Sequence, residues 1–92
     1  MTKHYTIRIS GKVQGVFFRI QTKEKADKLE LRGVVQNNSD GSVTIEVEGE
    51  EDRVQELVSW CKEGPAHAQV DHINSKEKSI IEGYKDFHIK ES

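Results

Sequence analysis

The sequence predicts an α+β domain in which two helices cover one face of a mostly antiparallel sheet of four or five strands. Three observations predict it. Apolar residues alternate with polar ones around Tyr5, Ile7 and Ile9 and again around Val43, Ile45 and Val47, which is the period of half-buried strands. Two other stretches have helical spacing: Phe18, Thr22, Ala26 and Leu29, then Val54, Leu57, Val58 and Cys61. Each helix has one such stripe, so both lay it on the same face of the sheet.

In chain order, the first strand points Tyr5, Ile7 and Ile9 inward and Thr6, Arg8 and Ser10 outward, and Gly11 ends it. The first helix runs from Phe18 to Arg32-Gly33, glycine being a frequent C-terminal stop. Val34, Val35, Gln36 and Asn37 form a short strand. Asn38-Ser39-Asp40-Gly41 reads as a turn, because Asp-Gly tolerates the positive φ of hairpins. The next strand sets Val43, Ile45 and Val47 against Thr44, Glu46 and Glu48 and ends at Gly49. The second helix stops at Gly64-Pro65. Gln69 to Ser75 is a weaker strand, and Ser75 to Glu82 is a polar loop or its extension. Tyr84 to Lys90 closes the chain as a strand with Phe87 and Ile89 on one face. The order β-α-β-β-α-β, with room for a short extra strand, is the split βαβ or ferredoxin-like arrangement, in one domain over residues 1–92. Many activities use this superfold, so function has to come from a site.

With 92 residues, the chain suits one modest core. Its lone cysteine, Cys61, fits a reducing cytoplasm and forbids an internal disulfide. No signal peptide or membrane span is visible, so a cytoplasmic protein without membrane contact is expected. The net charge of −2, with acids and bases interleaved, argues against binding nucleic acid by bulk charge. A small anion remains compatible, and a monomer is expected.

The segment Gly11-Lys12-Val13-Gln14-Gly15-Val16-Phe17-Phe18-Arg19 is an apolar run entered through glycine and ended by a cation. It leads into a helix N-terminus, where the first N–H groups lack internal partners and the dipole is positive. Gly15 lets the backbone curl into an amide nest, Val16, Phe17 and Phe18 anchor the loop, and Arg19 adds a planar donor fork for two phosphate oxygens. On spacing alone, a tight strand-to-helix turn with a surface arginine fits equally well. The common P-loop pattern is absent, since Gly11 is followed directly by Lys12.

This segment resembles the signature of the acylphosphatases. So do Gly33-Val34-Val35-Gln36-Asn37, the Asp40-Gly41 turn and the ending Tyr84-Lys85-Asp86-Phe87-His88-Ile89. The resemblance covers essentially the whole chain and implies hydrolysis of acyl phosphates to a carboxylate and inorganic phosphate, with phosphate also an inhibitor. It implies that the amides of Gln14, Gly15, Val16, Phe17 and Phe18 hold the phosphate together with Arg19. It assigns to Asn37 the orientation of the attacking water and to Thr22 a hydroxyl that supports the asparagine. Val34 departs from the large aromatic that many members carry there, which bears on packing. Asn38, the residue after the water-orienting asparagine, falls at a position that varies in the family. No cofactor or metal is implied.

An acyl phosphate is a mixed anhydride with a good leaving group, so little general-acid help is needed. What remains is to place water in line and to stabilise charge on the phosphoryl oxygens. Asn is no base at neutral pH, so a substrate phosphate oxygen is the candidate proton acceptor.

Other residues read as structural. Cys61 completes a helix stripe, and no arginine follows it in an anion loop, so it reads as core. His4, His67, His72 and His88 lack metal-ligand spacing. Asp40 serves the turn, and Trp60 packs at the edge of its stripe. Glu46, Glu48, Glu50, Glu51 and Asp52 read as a solvated acidic surface running into a helix start. The competing functions are a non-catalytic anion-binding module, an RNA- or metal-binding domain of this fold, and a detached domain of a larger maturation protein. A binder needs no water-orienting Asn37, Tyr5 and Phe87 look inward, and paired cysteines are missing, so a free-standing enzyme is expected.

Overall fold

A computed structural model describes residues 1–91; Ser92 lies outside the described residues. The elements are β1 (Thr2–Lys12), α1 (Phe18–Lys28), β2 (Arg32–Asn37), β3 (Val43–Glu50), α2 (Glu51–Cys61), β4 (Gln69–Lys78) and β5 (Phe87–Lys90). They build a five-stranded sheet in the order β4-β1-β3-β2-β5. All pairings are antiparallel except that of β2 with the short β5. The expected two-helix, mostly antiparallel architecture is therefore present, and β4 and β5 are the two strands of the C-terminal part.

The alternating residues form the core. Ile7 stands opposite Ile45 and Ile9 opposite Val43 in the β1–β3 ladder, and all four are fully buried. The helix stripes close over them with Phe18, Ala26, Val54, Leu57 and Cys61. Each large apolar side chain buried this way contributes roughly 1.5–3 kcal/mol. Trp60 packs at the edge, its ring 5.6 Å from that of Phe18, centre to centre.

Three local expectations are corrected. Gly11 does not end β1, which continues to Lys12 through a register shift against β4 between Ser10 and Gly11. Gly49 likewise lies inside β3. Residues 75–78 extend β4, which is one of the two readings of that stretch. Gly33 does not stop α1. The helix ends at Leu29, with Glu30 left-handed at φ 57, the Glu30 N–H donating to the Asp27 carbonyl and the Leu31 N–H to that of Ala26. This is a Schellman closure with glutamate in glycine's usual place, followed by the buried Leu31. Gly33 is needed in β2 instead, at φ 148, where any side chain would collide with the Glu46 carbonyl of β3.

The acidic run also divides. Glu50, Glu51 and Asp52 are exposed, and the last two open α2 where its dipole favours them. Glu48 is fully buried. Residues 79–86 carry the chain from one sheet edge to the other across the face away from the helices. Their backbone covers Glu48, whose carboxylate accepts the N–H groups of Glu82, Gly83 (3.0 Å) and Tyr84 (3.2 Å). His4, beside it, points one ring nitrogen at the Ile80 carbonyl (2.9 Å) and the other at Glu46 (2.7 Å).

Candidate active site

The segment between β1 and α1 forms the loop expected from its glycines. Gly15 is left-handed at φ 73, and two residues later so is Phe17, at φ 65. Val16 is buried between them and fastens the curl to the core. Phe17 caps α1 without a side-chain hydrogen bond, and its carbonyl accepts the first helical N–H, that of Gln21, at 3.1 Å. The amides of Phe18, Arg19 and Ile20 thus come before the first intrahelical bond. The first turn of α1 holds no acidic residue, whereas Lys25 and Lys28 sit in its last turn. No acidic side chain of this turn competes with an incoming anion, and the dipole attracts one.

Gly15, Phe17, Phe18 and Arg19 line a cleft of about 270 Å³ together with Val13, Ile20 and Asn37. Arg19 and Asn37 come from different elements, and the cleft brings them together because β2 ends beside the N-terminus of α1. Among the described residues, the Asn37 side chain makes no hydrogen bond, so its amide is free to serve the cleft. The Arg19 guanidinium lies 3.5 Å from the exposed Glu91 carboxylate, a loose ion pair at the cleft's edge.

The remaining expected residues fall around this centre. The Gln14 side chain turns away from the cleft and donates to the carbonyls of Asn38 and Ser42 in the β2–β3 turn. Thr22 is fully buried on the inner face of α1, and its hydroxyl has no hydrogen-bond partner among the described residues. Sequence reading missed Val13 and Ile20 as lining residues. Ile20 carried a signal: it is apolar yet off the inward stripe of its helix. Asn38 has a structural task that its position in the sequence does not disclose. Its Nδ2 donates to Ser42 Oγ at 2.9 Å and Thr44 Oγ1 at 2.7 Å, fixing the turn behind Asn37. Asp40 closes the same turn, and hydrogen bonds from the Ser42 hydroxyl and N–H hold its carboxyl below the usual carboxylate range.

Cys61 does not offer a nucleophile. It is fully buried, and burial pushes its thiol up to about 12. Among the described residues, no three His, Cys, Asp or Glu side chains converge as metal ligands. No described helix is long and apolar enough to cross a membrane.

Known proteins share this arrangement. A family model for acylphosphatase matches residues 5–89. The acylphosphatase of Rubrobacter xylanophilus is 44% identical over 89 residues, which span 97% of this chain and 81% of that protein. The crystal structure of acylphosphatase from Bacillus subtilis matches with a TM-score of 0.94 at 38% identity, over 99% of this chain and 100% of that one. A full-length HypF, solved in a phosphate- and nucleotide-bound form, matches at 39% identity with a TM-score of 0.92, over 99% of this chain and 12% of its own. Similarity of this extent, running through both the loop and the strand that ends in Asn37, makes this chain a member of the acylphosphatase family and so a hydrolase of acyl phosphates.

Proposed function

We propose that residues 1–92 act as one domain that hydrolyses acyl phosphates without a metal or cofactor. The backbone amides of residues 14–18 and the Arg19 fork hold the phosphoryl group. The observation that carries this reading is the meeting of Arg19 and Asn37 in one cleft at the N-terminus of α1. The nest, the helix dipole and the guanidinium supply the positive charge that a metal ion supplies in many phosphoryl-transfer sites.

Asn37 then orients water for in-line attack, its side-chain oxygen accepting a hydrogen bond from one water O–H, whose proton stays on the attacking oxygen. Attack on phosphorus breaks the bond to the bridging oxygen, and the acyl group leaves as carboxylate. The water's other proton passes to a phosphoryl oxygen, leaving inorganic phosphate. Phosphate is then both product and competitive inhibitor. The chain works as a monomer in the cytoplasm and uses no nucleic acid or membrane partner.

The test is phosphate release from benzoyl phosphate by the wild type and Arg19→Ala, with and without EDTA. Arg19→Ala should lose on the order of 10²–10³-fold in rate, the scale for removing one strong oxyanion donor. Inorganic phosphate should inhibit it much less than the wild type, and chelator should change neither protein. Wild-type-like turnover in Arg19→Ala, or activity lost to EDTA and restored by zinc or magnesium, would sink the mechanism. An anion-binding module of the same fold would bind phosphate and release none from the substrate.

A further inference from the structure

The cleft contains two apolar residues that neither the core nor the helix requires. Phe17 is 66% exposed and Ile20 is 52% exposed. Ile20 lies off the buried stripe of Phe18, Thr22 and Ala26. Phe17 occupies the left-handed region at φ 65 and ψ 21, where a bulky side chain is sterically disfavoured. The loop needs that backbone shape to aim its amides, but glycine would adopt it at lower cost. A phenylalanine held there with most of its ring in water gains little core packing in return. The other large exposed hydrophobics among the described residues are Met1, Ile80 and Ile81, and none lines this cleft.

Phe17 and Ile20 share the cleft with Arg19 and Asn37. Apolar surface beside a charge-binding loop suits the uncharged part of the ligand, as in most small-molecule sites. We infer that Phe17 and Ile20 form an acyl-group subsite, and that the enzyme favours acyl phosphates with an apolar, ring-sized acyl group over short ones. This inference rests on the acyl phosphate reading and names the part of the substrate that reading leaves open. With the phosphoryl group on the loop amides, the acyl carbon points out of the nest and its substituent lies against the Phe17 ring and the Ile20 side chain. At about 270 Å³ the cleft is at the small end for ligand sites, which suits one ring and a phosphate.

Steady-state kinetics with benzoyl phosphate and acetyl phosphate test this on the wild type, Ile20→Ser and Phe17→Gly. Each substitution should lower the benzoyl-to-acetyl ratio of kcat/KM by about tenfold or more, the scale on which a pocket discriminates a small apolar group. Most of the loss should appear in KM for benzoyl phosphate. Inorganic phosphate, which has no acyl group, reports on the loop alone. An inhibition constant that rises as much as the benzoyl KM in both variants would assign the damage to the loop and overturn the subsite. A ratio unmoved by both substitutions would overturn it too, and would leave the hydrolase reading standing. Wild-type protein that hydrolyses neither compound would overturn that reading and the subsite with it.

Discussion

Gln14 is tied to Asn38 across the site: the Gln14 side-chain amide donates to the Asn38 carbonyl at 2.8 Å and also to that of Ser42 at 2.9 Å. These bonds fasten the loop between β1 and α1 to the turn that follows Asn37. They help to set the distance between the loop amides and Asn37, alongside the β1–β3 and β2–β3 ladders.

Gln14→Met keeps the length of that side chain and removes both bonds. Both carbonyls keep a backbone donor, the N–H of Gly41 on Asn38 and the N–H of Asn38 on Ser42, so loss of the two neutral hydrogen bonds should cost about 1–3 kcal/mol of stability. Loosened geometry should cost more in rate, roughly 10–100-fold in kcat, because displacements near 1 Å weigh heavily on positioned reactants. Thermal melting and benzoyl phosphate kinetics read both. A stable variant with normal kcat would show that the loop holds its place without the tie.

Asn37 should matter to turnover more than to binding. Asn37→Ala leaves the loop and Arg19 intact, so phosphate should inhibit it about as well as the wild type while kcat collapses. Asn37→Asp keeps the shape and sets a negative charge beside an anionic substrate, which should weaken phosphate binding by like-charge repulsion. An Asp variant that binds phosphate normally and turns over faster would mean that the position wants a base.

Thr22 is a buried hydroxyl without a partner among the described residues, and such groups are retained in native proteins for a reason. Thr22→Val matches it in shape and removes the unsatisfied oxygen, so stability should rise by about 1 kcal/mol. Support of Asn37 through the hydroxyl during turnover predicts a severalfold fall in kcat at the same time. Differential melting and kinetics on one preparation separate the two effects, and an unchanged kcat would remove Thr22 from the site.

Glu48 should matter to stability and not to chemistry. Its carboxylate collects the N–H groups of Glu82, Gly83 and Tyr84, and it shares no lining position with the cleft. Glu48→Gln offers those donors one oxygen and an opposing NH₂. Loss of charged hydrogen bonds at a buried carboxylate should cost about 3 kcal/mol. That corresponds to a Tm lower by roughly 12–24 °C in a domain of this size. Activity at 25 °C should stay near wild type, and an unshifted Tm would show that residues 79–86 are held by other contacts.

Much of the site was legible in the chain because local rules act on near neighbours. Gly15 and the apolar run after it announce a curled loop, and Arg19 falls in the first helical turn next to it. Asn37 became legible through its resemblance to a known pattern, since nothing in Val35-Gln36-Asn37 alone marks the residue as lining a cleft. The tie from Gln14 was not legible, because a glutamine in a loop has no preferred partner until the turn at residues 38–42 arrives beside it.

By itself, the sequence determined the alternation of Tyr5, Ile7 and Ile9, the stripes of both helices, the turn at Asp40-Gly41 and the curled loop around Gly15. Periods of two and 3.6 residues and the sterics of φ operate along the backbone and need no distant contact. Tertiary structure decided the rest. Gly33 reads as a helix stop in one dimension and proves to be a strand position crowded by the Glu46 carbonyl of β3. Glu48 reads as solvated and is buried, because residues 79–86 cross the sheet and bring three backbone donors to it. Whether a polar side chain is exposed depends on which segment lands on it, and that segment lies more than thirty positions away along the chain.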